Sequence, residues 1–207
     1  MLRAANTIAA ISTAGGVGGI GIVRLSGPEA LAIAKTICSG QIVPREAGFH
    51  NFYNADQEIV DQGVILFFPN PKSFTGEDVI EFQGHGGQTV LNAVLNLCID
   101  KGARLAEPGE FTRRAYLNNK MDLAQAESVI DVINATTIEA VKSAAQSLSG
   151  KFSIKINGLL KKLIELRVFV EACLDFPEEE IDFIEQGNVI DRSVSYTHLT
   201  LPTTPCV

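Results

Sequence analysis

Val79-Ile80-Glu81-Phe82-Gln83-Gly84-His85-Gly86-Gly87 runs directly into Gln88-Thr89-Val90-Leu91-Asn92-Ala93-Val94-Leu95-Asn96-Leu97-Cys98-Ile99-Asp100. Val79 to Gln83 has the residues of a strand, and the glycines after it read as a turn. From Gln88 the period changes. Val90, Leu91, Val94, Leu97 and Cys98 fall on one face of a helix, which Lys101-Gly102 ends. Working outward, Asn6 to Ser12 and Gly19 to Leu25 read as short strands around the flexible Gly15-Gly16-Val17-Gly18-Gly19 turn. Gly27-Pro28 opens a helix to about Ser39, with Pro28 suited to its first turn. Phe49 to Ala55 and Ile59 to Phe68 are strands, Ala103 to Ala106 a short strand, and Pro108 to about Leu117 a helical turn. Strands and helices are interspersed, so the first half is expected to be α/β (α+β) with a mixed sheet.

After Lys120 the period is helical throughout. Leu123, Ala126, Ile130, Ile133, Thr137, Val141, Ala144 and Leu148 form one stripe, and Phe152, Ile156, Leu159, Leu163, Leu166, Val170 and Cys173 form a second. Both are the narrow kind used between packed helices. Gly150 either breaks the array between them or is tolerated within it. Asp175-Phe176-Pro177-Glu178-Glu179-Glu180 looks like a new helix start, with its acids at the positive end of the dipole. The second half is expected to be an incomplete all-α domain whose partner helices lie elsewhere. Ser193 to Val207 carries no Lys, Arg, Asp or Glu, four threonines and two prolines. It breaks the pattern and reads as a non-native tail, like a translated cloning adapter, rather than a natural disordered end.

Composition narrows the function. Of 207 residues, 46% are hydrophobic and 20% charged, which is the range of a folded chain with a real core. No apolar run reaches a membrane span, and Met1 to Asn6 does not read as a signal peptide, so a cytoplasmic location is expected. A net charge of −7 disfavours nucleic acid as a whole-molecule partner. Cys38, Cys98, Cys173 and Cys206 are far apart and the histidines scattered, so no zinc site is expected. Cys38 and Cys98, on apolar helical faces, read as buried structural thiols.

Polar residues cluster between Ser73 and Lys120, where a core does not need them. Arg24 closes an otherwise apolar strand, and Glu81 alternates with Ile80 and Phe82. Either the two form a structural ion pair, or they clamp a ligand such as an amino-pyrimidinone edge. His85 in Gly84-His85-Gly86-Gly87 is either a base at a strand-to-helix turn or a cap on its own loop. Gly16 to Gly21 lacks the lysine and hydroxyl of a phosphate loop and precedes a strand, so it reads as a hairpin turn. Asn119-Lys120-Met121-Asp122 spells a guanine-recognition element. It follows no hydrophobic strand and opens a helix, with Asp122 suited to N-cap or first turn.

Taken together, these residues resemble the MnmE/TrmE family of tRNA modification GTPases that act on the wobble uridine. The resemblance covers about Asn6 to Arg192. It rests on Gly18 to Gly27, Asp61-Gln62-Gly63, Ser73 to Gly87, Pro108-Gly109-Glu110-Phe111, Asp122 to Glu127 and Asp175 to Phe183, in that order. It implies a tetrahydrofolate-binding, dimerising domain over 1–118, the first part of a helical domain over 119–192, and the tail at 193–207. It implies folate contacts at Arg24, Glu81 and Lys120, with Gly84, His85, Gly86 and Gly87 as candidate lining and no metal ligands in this chain. The folate would be a 5-formyl- or 5,10-methylene-tetrahydrofolate. The family reaction attaches an aminomethyl-type group to carbon 5 of uridine, with a one-carbon unit from the folate and a flavin-dependent partner protein. GTP, magnesium and potassium belong to a GTPase domain whose Walker loop is not in this sequence. Cys206 does not match the family's C-terminal cysteine motif. The expectation is a folate-binding homodimer that alone neither hydrolyses GTP nor completes the modification. A dimerisation scaffold with an incomplete folate site is the alternative. An independent small GTPase would need the missing loop.

Overall fold

The computed structural model describes residues 6–175, with side chains to 172. The tail at 193–207 and the acidic run after Asp175 lie outside the described residues. Two compact units divide at Ala126.

The first unit is a six-stranded mixed sheet in the order β3-β4-β5-β2-β1-β6. Its strands are β1 (Ile8–Ile11), β2 (Gly18–Ser26), β3 (Gly48–Tyr53), β4 (Ile59–Phe68), β5 (Val79–Gly86) and β6 (Arg104–Leu105). Neighbours are antiparallel except β1 and β6, which run parallel. The glycine turn at 15–19 joins β1 to β2 as an antiparallel pair, with Ile11 opposite Val23. This is the hairpin that the sequence suggests there.

Helices α1 (Ala30–Ile37) and α2 (Gln88–Asp100) share one core with the sheet. Val23, Leu25, Ile65, Phe67, Ile80 and Phe82 meet Ile33, Ile37, Leu91, Val94 and Cys98 there, all buried. Phe52 and Phe82 pack edge to face, with centroids 5.3 Å apart, a favoured aromatic geometry. Burial pushes the Cys98 thiol up to about 12, as befits an inert core residue. Alternation sends Ile22 and Arg24, and likewise Glu81 and Gln83, to the opposite face of the sheet.

Most boundaries fall within a few residues of the sequence reading, and that of β5 differs for a physical reason. β5 does not stop at Gln83 but continues to Gly86, because Gly84 and Gly86 pair with Gly21 and Gly18 of β2. The glycines extend the strand instead of closing it. A Cβ on Gly86 would sit 2.6 Å from the Gly18 carbonyl oxygen, so only glycine lets the two strands stay this close.

Helix α3 (Glu110–Leu117) follows β6, and α4 (Leu123–Asn134) begins the helical array. Asp122 is the N-terminal acid that the sequence proposes. Its carboxylate accepts from the Gln125 backbone N–H at 2.9 Å, and the Gln125 side chain accepts from the Asp122 N–H at 3.0 Å. This is a reciprocal capping box.

The second unit continues with α5 (Ile138–Leu148) and α6 (Lys151–Asp175). The stripe from Leu123 to Leu148 is therefore two helices. Thr137 caps α5 by accepting from the Ala140 N–H at 3.1 Å. Gly150 breaks the chain between α5 and α6 at φ +80°, a conformation that favours glycine. Asp175 is the last described residue of α6, and the helix start read over 175–180 otherwise lies outside the described residues.

Candidate ligand-binding site

Arg24 and Glu81 stand directly opposite each other on β2 and β5, with Leu66 of β4 and Ala10 of β1 in the same row. Arg24 Nε donates to Glu81 Oε1 at 2.9 Å, and its Nη2 lies 2.6 Å from the same oxygen. Glu81 Oε2 takes a longer bond, 3.3 Å, from Gln83 Nε2. The pair is only partly covered, with side-chain exposure of 27% for Arg24 and 13% for Glu81. Ligand atoms could therefore reach both heads.

Two aromatic rings face the guanidinium. Its carbon lies 5.7 Å from the centroid of Phe74 and 5.8 Å from that of Phe111, within cation–π range. Phe74 is 40% exposed, so its ring could also meet a planar ligand. It sits in the loop from Pro69 to Asp78 between β4 and β5, while Phe111 opens α3.

Lys120, between α3 and α4, reaches across to the same loop. Its Nζ donates to the Pro71 carbonyl at 3.0 Å. A Cβ on Gly76 would lie 3.2 Å from the Lys120 stem, so the stem runs close along the loop backbone. Lys120 also lines an open hollow of about 540 Å³ with Tyr116, Leu117, Asn119, Met121, Asp122 and Gln125. The structure thus gathers Arg24 and Glu81 into one contact and ties Lys120 to the loop that carries Phe74.

His85 has a different partner. Asp61 takes both its backbone N–H, at 2.9 Å to Oδ2, and its ring Nδ1, at 2.7 Å to Oδ1. Burial pushes the Asp61 carboxyl up. The hydrogen bonds from the His85 ring and from the His85 and Gln62 backbone outweigh it and hold the group below its usual range. Asp61 is therefore ionised and Nδ1 carries the proton, while the imidazole is 67% exposed. Gly84 serves this pair: a Cβ there would lie 2.2 Å from Asp61 Oδ2. The close approach that the glycines allow is thus to the protein's own groups. Gly87 is the N-cap of α2.

Asp61, Phe74 and Phe111 lie in segments that carry the family resemblance, but the sequence does not propose them as site residues. Asp61 had a signal, since an acid at an inward position of the alternating strand Ile59–Phe68 needs a buried partner. For the rings no local pattern shows that they converge on Arg24, because they lie on separate elements.

A mixed-sheet domain that presents an ion pair under aromatic rings, followed by a helical array, is the class of protein defined so far. The sequence model described as GTP-binding protein TrmE N-terminus matches residues 7–120, and the one described as MnmE helical domain matches residues 123–198. The chain is 53% identical over 190 residues to the tRNA modification GTPase MnmE of Stutzerimonas stutzeri, covering 92% of this chain and 42% of that protein. It is 55% identical over 187 residues to the protein of that name from Chromobacterium violaceum, covering 90% and 42%. For that of Saccharophagus degradans the figures are 56% over 183 residues, 88% and 40%. The chain belongs to the MnmE/TrmE family of tRNA modification GTPases, and it spans about two fifths of the length of these relatives.

Proposed function

We propose that this chain is the folate-binding and dimerising portion of a tRNA-modifying GTPase, with Arg24, Glu81 and Lys120 as the ligand clamp. The observation that carries this reading is the Arg24–Glu81 pair, set in register on the open face of the sheet beside Phe74 and Phe111. The donor set suits a tetrahydrofolate. A carboxylate with remaining acceptor capacity matches the amino-pyrimidinone edge of a pterin, an exposed ring matches its plane, and Lys120 matches a carboxylate tail. When bound, the folate would supply the one-carbon unit. The chain's own groups would bind and orient it.

In the whole protein the reaction would place an aminomethyl-type group on carbon 5 of the wobble uridine in tRNA, with a flavin-dependent partner and a cytoplasmic location. GTP, magnesium and potassium would act in a domain beyond this sequence.

Calorimetric titration of the chain with 5-formyltetrahydrofolate, beside GTP, tests the reading. The folate is expected to bind and GTP is not. Arg24→Ala, Glu81→Ala and Lys120→Ala are each expected to weaken folate by about tenfold or more, the equivalent of one charge-assisted hydrogen bond. Unchanged affinity in all three would remove the site assignment.

A second reading, an assembly scaffold with an incomplete folate site, draws on the helical unit. Ile133, Ile138 and Ile154 there are 74%, 69% and 71% exposed, and such apolar surface calls for a cover. A dimer in sedimentation that forms without folate and does not bind it would favour this reading.

A further inference from the structure

We infer that Glu77 and Arg114 form a latch that sets the geometry of the Arg24–Glu81 clamp, making both of them positioning residues. The inference rests on the folate reading for its ligand but not for its geometry. Arg114, on α3, donates through Nη1 to both oxygens of Glu77, at 2.9 and 3.2 Å. Its Nη2 donates to Glu110 Oε1 at 3.1 Å and to the Asn6 carbonyl at 2.8 Å. One guanidinium therefore ties the loop, α3 and the entry to β1. The contact is sheltered, with Arg114 and Glu77 side chains 12% and 17% exposed.

Glu77 reaches the sheet as well. Its Oε2 accepts from Ser26 Oγ at 2.7 Å, and Ser26 lies two residues beyond Arg24 on β2. Thr75 Oγ1 meets the same hydroxyl at 2.7 Å, and Asn118 Nδ2 holds the Thr75 carbonyl at 2.7 Å. The elements joined by this network carry Arg24 and the groups around it. Phe74 belongs to the loop and Phe111 to α3, and Lys120 rests on the loop. Arg24 is on β2, two residues from Ser26. Groups on separate elements need a common fixing point if they are to meet one ligand, and the Arg114 guanidinium, bonded at once to Glu77, Glu110 and Asn6, provides one. Small displacements of a positioned group are costly for function even when the fold survives.

The test uses the full 207-residue chain. Glu77→Gln removes the charge that Arg114 grips while keeping the shape. It is expected to weaken 5-formyltetrahydrofolate by about tenfold while the chain stays folded by circular dichroism. Combined with Arg24→Gln, it is expected to cost less than the sum of the two single losses, because part of the latch's effect passes through that residue. Additive losses would overturn the positioning role. A second readout needs no ligand: the Arg24 Nε–H resonance in a ¹⁵N spectrum reports the bond to Glu81, and it is expected to shift or broaden in Glu77→Gln. If Glu77→Gln does not fold, Arg114→Lys takes its place, since an ammonium keeps the charge but cannot serve Glu77, Glu110 and Asn6 with the same geometry. Wild-type affinity together with an unmoved Arg24 resonance in the folded variant would overturn the latch. If the unaltered chain binds no folate, the folate reading fails, and the Arg24 resonance alone decides: movement supports the latch and constancy overturns it.

Discussion

Glu110 shows how much one side chain can hold here. Its side chain is 2% exposed, and it receives both arms of Arg104, at 2.6 and 3.0 Å. The Arg104 bonds lower its carboxyl most. Burial opposes them, and the Glu107 N–H and Arg114 add to the lowering, for a value of about 2 against an ordinary 4.5. The sign follows from linkage. A carboxyl depressed in the folded state binds its proton more readily when unfolded, so its contribution is complete above about 4.5 and is lost as pH falls towards 2. Wild type is expected to lose stability steeply across that interval in urea titrations. Glu110→Gln is expected to start lower, by about 3 kcal/mol at neutral pH, and to change less with acid. Asp61 adds to the wild-type slope in the same direction. A variant with the same acid slope as wild type would show that Glu110 is not the group being titrated. At this scale the sequence was legible wherever polarity clashed with pattern. Arg24 and Glu81 interrupt apolar strands and meet in the structure. Glu77, Glu110 and Arg114 sit among other charges in polar stretches, so nothing local sets them apart as a buried network. Only the fold brings the loop and α3 together.

Elements followed the sequence where period and punctuation agreed. β4 and α2 run as their residues imply, Ile59–Phe68 and Gln88–Asp100. The break between α4 and α5 was hidden because the apolar stripe continues across it, leaving a single threonine cap at Thr137 to mark it. β5 ran past its expected end because glycine has two uses: it turns a chain, or it lets strands crowd. Which applies depends on the partner strand, and sequence alone does not show that. The crowding makes a prediction about β5 and β4 together. A methyl at Gly84 would overlap Asp61 Oδ2, and Asp61 is wedged beneath the strand end by its two bonds to His85. Gly84→Ala is therefore expected to push Asp61 off His85 and to destabilise the chain by about 1–3 kcal/mol. The His85 ring resonances should move in the same variant. Unchanged stability with unchanged His85 resonances would mean that Asp61 adjusts freely, and that the glycine is not required for the pair.

The whole molecule divides by where its apolar surface goes. Twenty-two of the buried hydrophobic residues, from Ile8 to Ala115, belong to the first unit, whereas among the described residues of the second unit the buried hydrophobic is Ala144. A sheet with helices on one face encloses its own core, and folding free energy follows enclosed apolar area. Helices α5 and α6 bury little of theirs, with Ile154, Leu160, Ile164 and Val168 all more than half exposed. Isolated helices in water gain most of their stability from packing rather than from propensity. The two units should therefore differ in how often their backbones open. Hydrogen exchange on the full chain is expected to be slow in β2, β4, β5 and α2, at rates set by global unfolding, and much faster in α5 and α6. The contrast follows from burial alone and does not depend on the folate site. It also bears on how the helical unit is stabilised. If exchange in α5 and α6 is as slow as in the sheet and slows further with chain concentration, a second copy covers the exposed isoleucines, and the scaffold reading gains weight. If it is slow at every concentration, the helices are stable without such a cover, and the argument from apolar area is wrong for this unit. Fast exchange at all concentrations would leave the sheet domain as the part that folds on its own.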